Sequence, residues 1–111
     1  MLLKLTIEGE DCSLDVPHNV IEEGRAFFDK MDADMDKGWQ MSHSWIEHPT
    51  KKQRCQIAAD RLLQALLEQN KTLLLLMAGY ILDRMPKVRE VRVYHGGDMN
   101  EHEIIIDDRP T

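Results

Sequence analysis

Cysteine is scarce in this sequence: Cys12 and Cys55 are the two thiols among 111 residues. That excludes a disulfide framework, which needs several paired cysteines in a short chain. Positive charge is also in deficit, with 14 Lys and Arg against 20 Asp and Glu and a formal net charge of −6. A chain so charged lacks the basic face that binding to a phosphate backbone requires, so nucleic acid is excluded as the main partner. Long hydrophobic runs are missing. The longest, Leu73 to Leu82, covers ten residues, about half of a membrane span. There is no Gly-rich phosphate loop, because His95-Gly96-Gly97 lacks the spacing and the following helix. Internal repeats and low-complexity segments are absent. Met1-Leu2-Leu3-Lys4 leads into an alternating segment rather than an apolar leader, which predicts a cytoplasmic protein with no membrane association.

What is present suffices for one packed domain over residues 1–111. The chain is 42% hydrophobic and 31% charged, a balance that supports a core and argues against general disorder. Charge is unevenly placed. Residues 1–36 carry ten acids and three bases, residues 37–97 ten bases and five acids, and residues 98–111 five acids and one base. The acidic ends are expected either to sit against the basic middle or to form solvated faces.

Two segments near each end alternate with a period of two. Leu3, Leu5 and Ile7 alternate with Lys4, Thr6 and Glu8; Cys12, Leu14 and Val16 alternate with Ser13 and Asp15. With a turn at Gly9-Glu10-Asp11 this predicts an N-terminal hairpin that Pro17 ends. Val91 and Val93, the turn chemistry of residues 95–100, and Ile104-Ile105-Ile106 predict a C-terminal hairpin, with 107–111 as a frayed tail. Helices fill the middle. Cys55, Ala58, Ala59, Leu62, Leu63, Leu66 and Leu67 form an apolar stripe over 50–68, with Thr50 as N-cap. Leu73 to Met85 follows a break at residues 70–72, and Pro86 stops it. The expected architecture is therefore α+β: both hairpins in one mostly antiparallel sheet, packed on three or so central helices. Leu5, Ile7, Leu14, Leu62, Leu66, Leu76, Ile81, Val91, Val93 and Ile105 are the expected core.

One segment carries chemistry. Asp32-Ala33-Asp34-Met35-Asp36-Lys37-Gly38-Trp39 places three carboxylates at alternate positions ahead of a glycine. A hard divalent cation takes six or more oxygens, and alternate positions of a tight loop aim carboxylates inward. The segment resembles the opening of an EF-hand calcium loop over residues 32–43, with Phe28 and Met31 as apolar contacts of an entering helix and Trp45 and Ile46 of an exit helix. The resemblance implies calcium, or another divalent cation, held by Asp32, Asp34 and Asp36. The segment departs from the family pattern. Lys37 stands where the loop needs glycine, Gly38 comes one residue late, and His43 replaces the closing bidentate Glu. The same residues also read as one long helix from about His18 to Glu47. Gly24, Phe28, Met31, Met35, Gly38 or Trp39, Ser42, and Trp45 or Ile46 then fall at steps of three and four, with the aspartates on a solvated face.

Other constellations are thinner. His43 and Glu47 share a face if helical, but His48 does not, and a zinc site would need His95 or His102 from elsewhere. Cys12 and Cys55 both lie on apolar faces and read as buried small hydrophobes. Met31, Met35 and Met41, among Phe27, Phe28, Trp39 and Trp45, supply either core or an adaptable binding surface. No catalytic constellation emerges. The leading functional expectation is a non-catalytic protein that acts by protein binding or oligomerisation. Calcium binding is the alternative, and an enzyme assembled from scattered His, Asp and Glu residues the third. The uncharged helix at 73–82 needs cover on all sides, which predicts a homodimer with Leu74, Leu75 or Tyr80 in its interface.

Overall fold

A computed structural model describes residues 1–107. The fold is α+β, with three helices packed against a four-stranded mixed sheet and a small two-stranded sheet beside them. Strands β1 (Leu2–Ile7) and β2 (Glu10–Asp15) form the expected N-terminal hairpin, in register from Leu2 opposite Asp15 to Ile7 opposite Glu10. Its turn is Glu8-Gly9, one residue earlier than the sequence pattern suggests, with φ of 52° and 82°. A two-residue hairpin turn whose twist matches the strands needs positive φ at both central positions, and glycine meets that need without strain.

Pro17 then caps helix α1 (His18–Met35). Neither the long helix nor the helix–loop–helix follows. The helix stops at Met35, and Gly38 turns the chain at φ 101° into a short hairpin of β3 (Trp39–Met41) and β4 (Ser44–Ile46). A Cβ on Gly38 would lie 2.3 Å from the Trp45 ring, so both the backbone angle and the ring require glycine here. Trp45 and Ile46 are thus strand residues rather than an exit helix.

Helix α2 (Lys51–Leu67) opens on a complete capping box. The Gln53 N–H donates to Thr50 Oγ1 at 3.1 Å, and the Thr50 N–H donates to Gln53 Oε1 at 2.8 Å. It closes on a Schellman turn in which Gln69, at φ 59°, is left-handed and the Asn70 N–H returns to the Ala65 carbonyl at 2.8 Å. Asn70 then caps helix α3 (Lys71–Arg84) by accepting from the Leu73 N–H. The two helices are therefore joined by almost no linker and pack along each other.

Strand β5 (Val88–Val93) lies parallel to β1, with Leu5 opposite Val91. It pairs antiparallel with β6 (Glu103–Ile106), with Val91 opposite Ile104. The sheet order is β2-β1-β5-β6, so two pairings are antiparallel and the central one is parallel. A parallel pair needs a long crossover, and α1, α2 and α3 lie in that crossover.

Leu3, Leu5, Val91, Val93 and Ile104 present one sheet face to Phe28, Met31, Ile57, Leu62, Met77 and Ile81 of the helices, and all of these are buried. Of the expected core, Leu5, Leu62, Ile81, Val91 and Val93 are buried, while Ile7, Leu14, Leu76 and Ile105 are half-buried. Leu66 is not core. It is 40% exposed on the last turn of α2, where Ala65 takes the buried side. Cys12 is also corrected. It pairs with Leu5 and so shares its face, but β2 is an edge strand and leaves the thiol exposed. On the opposite sheet face Lys4 and Arg92 both pair with Glu90, at 3.3 and 2.5 Å. No helix among the described residues is long and apolar enough to cross a membrane.

Candidate functional site: an aspartate hub and an apolar groove

The three aspartates singled out by the sequence are separated by the helix that carries them. Successive helical positions turn by about 100°, so alternate positions cannot converge on one ion. Asp32 faces the neighbouring helices, Asp34 is exposed, and Asp36 caps the C-terminus of α1. Among the described residues no group of three His, Cys, Asp or Glu side chains is placed to hold a metal.

Asp32 is instead the centre of an ion-pair network that ties the three helices together. Its Oδ1 accepts from the Tyr80 hydroxyl at 2.5 Å and from Arg54 Nη1 at 3.3 Å, and its Oδ2 accepts from Arg84 Nε at 3.1 Å. Each arginine carries on to further carboxylates. Arg54 Nη2 donates to Asp36 at 2.6 Å; Arg84 donates to Asp83 at 2.5 Å and to Asp29 at 2.7 Å. The Arg84 guanidinium also lies 5.9 Å from the Phe28 ring centroid and 5.6 Å from that of Tyr80, within cation–π range. Burial, followed by the bond to the Asp32 carboxylate, pushes the Tyr80 hydroxyl above its ordinary range. Burial and the same carboxylate push the Cys55 thiol up to about 12, which removes it as a nucleophile near neutral pH. Asp32, Pro49, Lys51, Arg54, Tyr80 and Arg84 line an open pocket of about 290 Å³.

The histidines do not gather. His43 is at the tip of the β3–β4 hairpin, 3.5 Å from Asp98, and Glu47 and His48 follow that hairpin rather than extending a helix. His95 is exposed, with its backbone N–H on Glu8. His102 is fully buried. Its Nδ1 accepts from the Tyr94 N–H at 3.1 Å, and its Nε2 lies 3.1 Å from Asp60 Oδ1. With Nδ1 occupied as an acceptor, Nε2 is the donor to Asp60. Gln56, also buried, donates to the carbonyls of Asn100 and His102 at 3.0 and 2.9 Å. This lock of the 94–102 segment onto α2 had no sequence signal beyond a glutamine on a mostly apolar helix face.

The Met–aromatic cluster divides. Phe28, Met31, Met35 and Met41 are core, while Phe27 is 37% exposed and Trp45 58% exposed. Phe27 lies in an apolar groove of about 420 Å³ between α1 and α3, lined by Val20, Gly24 and Phe27 on one side and Thr72, Leu75 and Leu76 on the other, with Glu23 also lining it. The expected interface residues fall differently. Leu75 lines this groove and Leu74 is half-buried beside it in the sequence. Tyr80 is 1% exposed, taken up by Asp32 inside the chain, and has no surface to offer. No family model, no curated protein and no solved structure matches this chain.

Proposed function

We propose that this chain is a non-catalytic binding protein and that it acts as a homodimer through the groove between α1 and α3. The observation that carries the reading is that one patch holds both a hollow and a filler for it. The hollow is walled by Val20 on α1 and by Leu75 and Leu76 on α3, and Phe27 stands part-exposed within the same patch. A two-fold interface is self-complementary, so the Phe27 of each copy enters the hollow of the other. Aromatic side chains filling pockets are the usual anchors of such interfaces. Glu23 is the one charged residue among those that line the groove, so little charge must be desolvated.

Sedimentation at micromolar concentration tests this. The wild-type protein is expected at twice the monomer mass of 12.9 kDa. Phe27→Glu and Leu75→Glu are each expected to sediment as folded monomers. A wild-type mass of 12.9 kDa, or a dimer that survives both substitutions, overturns the reading.

A further inference from the structure

We infer that the pocket lined by Lys51, Arg54 and Arg84 binds a phosphoryl dianion, as free phosphate or as a small phosphate monoester. Three cations and one carboxylate line it. The carboxylate, Asp32, sits between the two guanidinium groups and accepts from both, which holds them side by side against their mutual repulsion. Tyr80 in turn fixes Asp32. The two forks are thereby oriented before any ligand arrives, and planar guanidinium groups suit phosphate oxygens. Both arginine side chains are largely withdrawn from water, at 17% and 22% exposure, where charge interactions are less screened.

Two of the remaining arginine ion pairs face solvent, while the third, Arg84 Nη1 to Asp83 at 2.5 Å, is withdrawn from water and stays in place. Arg54 Nη2 is paired with Asp36 and Arg84 Nη2 with Asp29, and these carboxylates are 64% and 75% exposed. Because these two carboxylates themselves lie in solvent, a dianion can displace them and take over the same N–H groups. Lys51 completes the set. It has no carboxylate within ion-pair distance among the described residues, and its ammonium is exposed at the pocket. The volume of about 290 Å³ exceeds what phosphate alone needs, and Pro49 offers an apolar wall for the carbon of an ester. Asp29 and Asp36 flank the cations and disfavour an extended polyanion, which separates this site from a nucleic-acid surface.

Titration of the full chain with inorganic phosphate, and separately with phenyl phosphate, tests the site by amide chemical shifts and calorimetry. Saturable shifts centred on Lys51, Arg54, Tyr80 and Arg84 are expected. Affinity is expected to fall about tenfold in Lys51→Ala, an exposed position whose loss leaves the fold intact, and in Arg54→Lys, which keeps the charge but not the fork. Tighter binding of phenyl phosphate assigns the monoester, and equal or weaker binding assigns free phosphate. No saturable shift up to about 10 mM, or shifts that Lys51→Ala leaves unchanged, overturns the proposal.

Discussion

The Tyr80 hydroxyl donates to Asp32 Oδ1 at 2.5 Å, joining the middle of α3 to the last turn of α1 across 48 positions of sequence. Asp32 also carries both arginines, so these groups act as one unit. Asp32→Asn keeps the shape but removes the charge, and is expected to destabilise the fold by about 1–3 kcal/mol. Tyr80→Phe removes one bond to a charged acceptor and is expected to cost about 1.5–3 kcal/mol. Urea unfolding of both variants and the double variant checks the pairing. The double variant should lose less than the two single losses together, and strict additivity would show that the contact is not energetic.

The last turn of α2 separates two leucines that the sequence pattern treats alike. Leu62 is fully buried and Leu66 is 40% exposed. Leu62→Ala should cost about 2–5 kcal/mol, the usual range for core truncation. Leu66→Ala should cost less than about 1 kcal/mol, as for a surface position. Chemical denaturation of the two variants side by side checks the order, and equal losses would place Leu66 under cover.

The two thiols should differ sharply in reactivity. Partial burial and Asp11 push the Cys12 thiol up, but it is exposed on an edge strand, whereas Cys55 is buried with its thiol raised to about 12. Thiolate is the nucleophile, so alkylation of the native protein at pH 8 should modify Cys12 alone. Both should react in denaturant. Mass spectrometry of the peptides reads the result, and native labelling of Cys55 would mean that α2 opens readily.

Acid stability should depend on Glu90. The bond from Arg92, together with Lys4, holds its carboxyl below the ordinary value of 4.5. A carboxylate whose folded pKa is depressed contributes stability above its unfolded pKa and loses that contribution as pH falls through the folded value. Wild type should therefore lose stability between pH 5 and the folded pKa, and Glu90→Gln should show a shallower decline over the same window. Thermal unfolding from pH 6 to pH 3 measures both slopes, and parallel slopes would remove Glu90 from the account.

Much of the secondary structure follows from residues close together in sequence. The alternation of Leu3 and Leu5, the capping chemistry of Thr50 and Gln53, the stripe from Cys55 to Leu63 and the stop at Pro86 each specify an element through contacts a few residues apart. Such local signals decided the hairpins, α2 and α3, and the α+β class. They did not decide residues 32–46. Three alternate aspartates and a glycine suit a calcium loop, a long helix, and the helix end and hairpin that form. The outcome turns on Trp45 packing over Gly38, and on Arg54 and Arg84 reaching Asp32 from two other helices. Local pattern could not show those partners, because ion pairing and ring packing depend on which helices the fold brings together. Tyr80 is the same case. Its place in an apolar run suggested an outward face, and only the packing of α3 against α1 turned its hydroxyl onto a carboxylate that had to be satisfied once it left water.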